Sequence, residues 1–179
     1  MRIASGTALA VAGLLALTAC GSSDDNDDAP ATATVVGVVE ATADLSTLVT
    51  AIDAAGLETT LDRDGPFTVF APTNAAFEAL PDGVLDALLL EENRTALVDV
   101  IAYHVLSGTF TSDQLTDSQR PTFEGSTVAV TTEGGLKVNG ARVVEADLEA
   151  ANGVVHTIDA VLVPEGVGID SLLDEETEE

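Results

Sequence analysis

The first half of the chain has the spacing of apolar positions that is typical of amphipathic helices. Between residues 43 and 55 the apolar residues recur at helical intervals, with Asp44 as the N-cap and Gly56 as the stop signal. Further helices are predicted over residues 75–80, 84–90 and 93–106. Residues 67–71 predict a short strand that is apolar on both faces and therefore internal to a sheet.

Beyond Gly108 the pattern changes to valine-rich and alternating segments, which favour strands. The predicted strands are residues 127–132, 136–138, 141–145 and 154–163. Asn139 and Gly140 lie between two of them, and Asn-Gly between apolar runs is a strong hairpin signal. Helices in the first half and antiparallel strands in the second predict an α+β fold, not the alternating order of a nucleotide-binding sheet.

The N-terminal segment predicts export. Arg2 precedes an apolar stretch that ends at Leu17, and this stretch is too short to span a bilayer as a stable helix. The sequence LTAC that ends at Cys20 resembles the bacterial lipobox, in which the cysteine is lipidated and the leader is cut before it. We therefore expect a signal peptide over residues 1–19 and lipid attachment at Cys20. An ordinary secretory signal cut nearby is the alternative.

Composition separates the rest of the chain into a tether, a domain and a tail. Residues 20–33 are small, polar and acidic, which predicts a flexible tether, and residues 174–179 form an acidic tail. Residues 34–173 are left for one domain. The chain has five Phe, one Tyr, no Trp and a single Cys. The core is therefore expected to consist mostly of Val, Leu, Ile and Ala, without an internal disulfide.

The formal net charge of −25 narrows the possible partners. Nucleic acid is disfavoured as a partner because binding it requires lysine and arginine against the phosphates. Direct docking onto anionic lipid is disfavoured for the same reason, so membrane contact is expected through the lipid anchor only. The excess of acid favours solubility, with salt adaptation or loose cation binding as alternatives.

Chemistry-bearing motifs are sparse. The two histidines, His104 and His156, are far apart and have no metal-ligand spacing. The sequence contains no GxSxG nucleophile turn and no phosphate-binding loop. We therefore expect no catalytic residues, no metal and no cofactor, and the chain is predicted not to be an enzyme.

Three motifs resemble the fasciclin domain family in order and spacing. Residues 65–77 read GPFTVFAPTNAAF, residues 103–108 read YHVLSG, and residues 152–164 read NGVVHTIDAVLVP. The resemblance covers about residues 34–164. It implies a wedge of two β-sheets with helices packed on one side, in extracellular or cell-surface proteins linked to adhesion.

The resemblance also implies candidate site residues. Adhesion in the family has been tied to a Tyr-His pair, which corresponds here to Tyr103 and His104. Helical phase places His104 beside Leu97 on an apolar face, which favours a buried histidine whose ring ties the helix to the turn at Thr73 and Asn74. Tyr103 falls on another side of the helix and stays a surface candidate.

A second candidate lies before the turn at Asn152. Animal members carry an Asp-Ile dipeptide there that is implicated in receptor binding, and this chain has Asp147 and Leu148. The alternative is a loop aspartate followed by a buried leucine. His156 is expected to be structural, as are Thr73 and Asn74, which turn a strand into a helix and satisfy its free N–H groups.

These observations predict an exported, lipid-anchored adhesion module of the cell envelope. Its partner would be extracellular matrix, or a protein or glycan on a host or neighbouring cell. The alternative is an envelope protein that binds a small apolar or lipid-like ligand in a pocket between helices and sheet.

Overall fold

The computed structural model describes residues 33–63 and 65–168, and it confirms the α+β class. The helices precede most of the strands along the chain. They are α1 (Val35–Ala41), α2 (Ser46–Ala55), α3 (Glu58–Leu61), α4 (Asn74–Glu78), α5 (Val84–Leu89) and α6 (Arg94–Tyr103). The strands are β1 (Phe67–Pro72), β2 (Val105–Ser107), β3 (Ser118–Pro121), β4 (Thr127–Thr131), β5 (Lys137–Val138), β6 (Ala141–Ala150) and β7 (Gly153–Ile158).

The strands form a mixed, seven-stranded sheet in the order β2-β1-β7-β6-β5-β4-β3. All neighbouring strands are antiparallel except β1 and β7, which are parallel from Phe67 opposite Gly153 to Pro72 opposite Ile158. β1 carries the first of the three sequence motifs and β7 the third. The long crossover between these strands therefore brings the two motifs side by side at the centre of the sheet.

The prediction that β1 is internal is confirmed, since it lies between β2 and β7. The sheet curls so far that its two terminal strands approach each other. Leu106 at one end forms a bridge with Thr122 at the other, and the Phe123 N–H donates to the Val105 carbonyl at 2.7 Å. The expected pair of sheets is therefore one curled sheet, and its closure encloses a core between the two halves.

Two apolar cores result, and both are mainly aliphatic, as the composition predicted. The first lies between the helices and the sheet, where four valines of α1 form one cluster with apolar residues of α2 and α6 and with Val155. The second lies inside the curled sheet and includes Phe70, Tyr103, Leu106 and Ile158.

Helix α1 was not predicted, because its sequence VVGVVEA is poor in helix formers. The helix forms because its valines are buried and because Thr34 caps it, with Thr34 Oγ1 accepting from the Gly37 N–H at 3.4 Å. Among the described helices, no single one is long and apolar enough to cross a membrane. The two segments Val35–Ala41 and Ala43–Ala55 pass such a test only together, and they are bent by 107°.

The predicted N-cap of α2 is wrong. Asp44 lies in a short 3₁₀ turn, and α2 begins at Ser46 without a cap from its own segment. The acceptor comes from another element, because Asn74 Oδ1 accepts from the Thr47 N–H at 2.9 Å. Gly56 does end the helix, with a φ of 70° that favours glycine.

Several other boundaries differ from the predictions. The helix predicted over residues 93–106 ends at Tyr103, because Val105 and Leu106 pair with β1 instead. β7 ends at Ile158 and not at residue 163. The hairpin at Asn139 and Gly140 is confirmed, with φ of 49° and 91° between β5 and β6.

Candidate functional site

Tyr103 lies in the second core, and the expectation of a surface tyrosine is corrected. The side of α6 away from Leu97 faces the curled sheet, and only 6% of Tyr103 is exposed. Its hydroxyl reaches the surface at one point, where it accepts from Asn139 Nδ2 at 2.7 Å and donates to the Thr127 carbonyl at 3.2 Å. Tyr103 thus connects the helix to the β4 and β5–β6 region.

His104 is buried, as its helical phase predicted, but the hydrogen bonds of its ring go to other groups than the turn at Thr73 and Asn74. Its Nδ1–H donates to the Val100 carbonyl at 2.7 Å, and its Nε2 accepts from the Leu162 N–H at 2.9 Å. The ring therefore ties α6 to the segment after β7. Burial lowers the pKa of His104 to about 4, and the bond to the Val100 carbonyl only partly offsets this, so the ring is neutral at pH 7.

His156 is fully buried in β7, where its ring stacks on that of Phe70 at 5.6 Å between centroids. Its Nε2–H donates to the Phe110 carbonyl at 2.9 Å, and its Nδ1 accepts from the backbone N–H of Asp147 at 3.1 Å. Both ring nitrogens are satisfied, which supports the expectation that His156 is structural. It links β7 to β6 and to the segment after β2.

Asp147 does not lie in a loop, as the alternative reading of its motif supposed. It belongs to β6, at a register shift in the pairing with β7, and its φ of 64° is unusual for a residue other than glycine. Its side chain accepts two hydrogen bonds from Ser112, one from the N–H at 2.7 Å and a short one from the hydroxyl. Asp147 therefore holds the turn at Ser112 against the sheet while remaining exposed.

The pKa values of His156 and Asp147 are both shifted by burial and by this hydrogen-bond network. The pKa of His156 is lowered, chiefly by burial, against the opposing effects of the Phe110 carbonyl and the Asp147 charge. For Asp147, desolvation alone would raise the pKa of the carboxyl group. The hydrogen bonds from Ser112 and the proximity of His156 outweigh it, so the pKa of Asp147 lies below its usual value. At neutral pH the network consists of a carboxylate and a neutral imidazole.

Ser112, Asp147 and His156 are brought together, but not in the order that activates a serine. The Ser112 hydroxyl donates to the Asp147 carboxylate, whereas the His156 imidazole accepts from the backbone N–H of Asp147 and donates to the Phe110 carbonyl. In a nucleophilic triad the imidazole would lie between the hydroxyl and the carboxylate. Within residues 33–63 and 65–168, no group of three metal-ligating side chains lies close enough together to hold an ion.

The other candidate residues lie elsewhere. Leu148 is half-buried and packs against the core under the helices. Thr73 caps its own helix α4 at Ala76, as expected. Asn74 was expected to satisfy free N–H groups of the same helix, but its side chain binds Ser46, Thr47 and Ala43 at the start of α2 instead. Cys20, the signal peptide, most of the tether and the acidic tail lie outside the described residues.

The surface of the described chain also has an open polar groove and a small apolar pocket. An open groove of about 800 Å³, called here the β4 groove, lies over the outer face of β3 and β4 and is lined by Tyr103, Gln119, Ser126, Thr127, Asn139 and Glu165, among others. A pocket between α3, β1 and Phe123 is apolar but measures only about 10 Å³, close to the space for one water molecule. This apolar pocket gives no support to the small-ligand alternative.

Sequence reasoning missed Ser112 and the polar role of Asn139. Ser112 lies in an irregular segment with no motif, and its partner Asp147 is 35 residues away along the chain. Asn139 was recognised only as a turn residue. Its position in an Asn-Gly turn could have suggested a side chain aimed at a neighbouring strand, since Asn139 Oδ1 accepts from the Ala129 N–H at 2.7 Å.

The sequence is similar to a known domain family and to proteins from bacteria and animals. The Fasciclin domain family model matches residues 43–164. Protein sll1483 of Synechocystis sp. is 45% identical over 132 residues, which is 73% of this chain and 73% of that protein. Transforming growth factor-beta-induced protein ig-h3 of Sus scrofa is 42% identical over 137 residues, which is 75% of this chain but only 20% of ig-h3.

A solved structure supports the same architecture. It is a domain pair from the insect cell adhesion molecule Fasciclin I, with a TM-score of 0.67 and 20% sequence identity. The match covers 75% of this chain and 52% of that chain, so this chain spans about half of the solved pair.

Proposed function

Because this chain belongs to the fasciclin domain family, we propose that it is an adhesion module displayed on the outside of a cell envelope. The match over residues 43–164 confirms the resemblance that the three motifs carried. Support for adhesion comes from the insect cell adhesion molecule whose domain pair shares the fold.

The observation that carries the proposal is the β6 bulge, defined as residues 144–147. Two register shifts flank Glu145 in the pairing of β6 with β7, and bulges of this kind re-aim side chains away from the sheet. Val144 is 61% exposed there, the highest value among the large apolar residues of the described chain. In this proposal the exposed Val144 side chain, beside the acidic Glu145 and Asp147, forms the contact with another macromolecule.

Hydrogen bonds from two neighbouring segments also fix the β6 bulge at Asp147. Asp147 is fixed on one side by Ser112 and on the other by His156, and His156 is itself buried and bound to the Phe110 carbonyl. A surface that is already ordered before contact loses less conformational entropy on binding. Backbone in an unusual conformation, such as that of Asp147, is often retained for function.

We further propose that the module is attached to the membrane through Cys20, after removal of residues 1–19. Residues 20–33 would then act as a tether with a reach of about 20 Å, leading into the domain assigned to residues 34–173. Each contact would be weak, and many copies on one membrane would multiply it. The partner class is extracellular matrix, or a protein or glycan on a host or neighbouring cell.

A matched pair of variants tests the adhesion surface. Val144→Ser removes the exposed apolar side chain from the β6 bulge. Leu90→Ser makes the same kind of change at another exposed apolar residue, at the end of α5, 42% exposed. In a cell-attachment assay, Val144→Ser is expected to lower attachment by about tenfold if Val144 is an anchor residue of the contact. Leu90→Ser is expected to leave attachment unchanged.

Both variants are first compared with wild type by thermal unfolding, since exposed positions are expected to change stability by only about 0.5 kcal/mol. Equal attachment of Val144→Ser, Leu90→Ser and wild type would contradict the assignment of the β6 bulge. Absence of attachment by the wild type to matrix, animal-cell and bacterial-cell surfaces alike would contradict the adhesion function itself.

A further inference from the structure

We propose that the β4 groove is a second binding site and that it takes a neutral, hydroxyl-rich oligosaccharide. The groove is about 800 Å³ in volume and open to solvent. This is within the range of natural ligand sites, although its lining is polar where most small-molecule sites are apolar. An open, polar groove suits one stretch of a longer polar chain better than an enclosed apolar ligand.

The chemistry of the lining points to hydroxyl groups as the ligand's polar atoms. The groove presents the amides of Gln119 and Asn139 and the hydroxyls of Ser126 and Thr127. Amides and hydroxyls both donate and accept hydrogen bonds, as sugar hydroxyls do. The side chains of Gln119, Ser126 and Thr127 are exposed and form no hydrogen bond with any side chain or backbone group of residues 33–63 and 65–168, so their polar atoms are available to a ligand.

The floor of the groove is fixed before any ligand binds. Asn139 Oδ1 accepts from the Ala129 N–H at 2.7 Å, and Asn139 Nδ2 donates to the Tyr103 hydroxyl at 2.7 Å. The Tyr103 ring is buried and cannot reorient. One N–H of the Asn139 amide remains for a ligand, at a defined place and in a defined direction. Such preorganisation lowers the entropic cost of binding.

Charge argues against ionic ligands. Among the described residues, those that line the groove include no lysine and no arginine, which are the usual partners of phosphate, sulfate and carboxylate groups. Glu165 is the one acidic residue in the part of the lining that the structure describes, and the chain as a whole carries a formal charge of −25. Anionic polysaccharides would therefore be repelled, whereas a neutral saccharide would not.

The strand pairing argues against an extended peptide. Peptides commonly add to the unpaired edge of a sheet. β4 already lies between β3 and β5, and Gln119 and Pro121 of β3 pair with Ala129 and Thr127 of β4. The groove therefore presents side chains of a paired strand rather than a free strand edge.

The test is an NMR titration of the ¹⁵N-labelled full chain with maltotetraose, mannotetraose and galactotetraose. Tetragalacturonate serves as the anionic comparison, and a gelatin-derived peptide serves as the peptide comparison. We expect at least one neutral tetrasaccharide to shift the amide signals of Gln119, Ser126, Thr127 and Asn139 with saturation. Tetragalacturonate and the peptide are expected to leave these signals in place.

The chain offers a matched control, because Gln114 and Gln119 are both exposed glutamines and only Gln119 lines the groove. Gln119→Ala is expected to weaken saccharide binding by about tenfold, equivalent to about 1.4 kcal/mol, and Gln114→Ala to leave it within twofold. Ala129→Leu, which narrows the groove, should also weaken binding, whereas Thr131→Leu, on the same face of β4, should not.

Three results would each overturn the proposal: no shift with any neutral tetrasaccharide, equal binding by Gln119→Ala and wild type, or saturable binding of the peptide in the groove. Saccharide binding that survives both Gln119→Ala and Ala129→Leu places the saccharide elsewhere and overturns it as well. Because this titration needs no cell surface, its failure leaves the role of the β6 bulge in attachment unaffected.

Discussion

The buried neutral ring of His104 should make stability depend on pH in a way that can be isolated from every other group. Its Nε2 accepts from Leu162, and a proton added there would remove that acceptor inside the protein. The pKa of His104 is lowered from 6.5 to about 4 by burial. The unfolded chain therefore takes up a proton near pH 6.5, whereas the folded chain resists it until about pH 4.

The direction in which the free energy of unfolding changes with pH follows from proton linkage. Between pH 6.5 and 4 the unfolded state binds more protons at this site, so the free energy of unfolding falls as the pH falls. With the two pKa values above, His104 alone should remove about 2 kcal/mol of stability between pH 7 and pH 4.5. Carboxyl groups also begin to titrate near pH 4.5, since the ordinary pKa of glutamate is about 4.3, so the His104 contribution is isolated by comparison with a variant that lacks the imidazole.

The assay is urea unfolding of wild type and His104→Gln at pH 7 and at pH 4.5. Reduced repulsion in a chain of net charge −25 affects both proteins alike and cancels in the difference. At pH 7 the variant should be less stable by about 1–3 kcal/mol, because it loses buried hydrogen bonds. At pH 4.5 that gap should shrink by about 2 kcal/mol, as estimated from the linkage relation. An unchanged gap would refute the assignment of a buried, neutral His104.

Three further variants test the other networks. Asn74→Ala should lower the free energy of unfolding by about 1–2 kcal/mol, because the Thr47 N–H at the start of α2 loses its acceptor; a wild-type melting temperature would show that the cap is unimportant. Asp147→Ala should cost about 1–2 kcal/mol rather than the small change expected of a loop residue, since two bonds to Ser112 are lost, and hydrogen exchange at Ser112 should accelerate; unaltered exchange would contradict the network. Cys20→Ser should release the protein from membranes or block its processing, as measured by fractionation and by the mass of the N-terminus; full membrane retention would contradict lipidation.

Much of the fold could be predicted because local signals and tertiary structure agree there. Gly56 ends α2, and the Asn139–Gly140 turn forms the β5–β6 hairpin, since both positions need a positive φ that these residues tolerate. β1 was predicted as internal from its apolar run alone, and it is flanked on both sides by strands.

The failures occur where distant residues decide the local structure. Val105 and Leu106 continue the helical pattern of α6, but pairing with Val69 and Thr68 of β1 takes them into a strand. Asp44 has the right residue type for a cap, yet Asn74 occupies that role from 30 residues further along the chain. Helix α1 has poor intrinsic propensity and forms because its valines are buried.

The same distinction applies to the candidate site residues, since local signals predicted some of their positions and distant contacts decided the others. The helical phase of His104 correctly predicted that this residue is buried. The phase of Tyr103 predicted a surface position, which is wrong because the curled sheet covers the second side of α6 as well. The spacing of apolar residues along α6 does not indicate this second contact. The network of Ser112, Asp147 and His156 joins three separate segments. This network could not be predicted from the sequence, since each of these residues taken alone is typical of a turn or a strand.

The most direct test of adhesion uses the single cysteine of the chain. Beads carry residues 20–179 coupled through the thiol of Cys20, so that every copy is tethered as the lipid anchor would tether it. Attachment is measured on matrix-protein, animal-cell and bacterial-cell layers at increasing density of the chain on the bead. If the chain is a multivalent adhesion module, attachment to at least one layer should rise more steeply than in proportion to density, and Val144→Ser should reduce it. Attachment no greater than that of uncoated beads on all three layers, at every density, would contradict the claim.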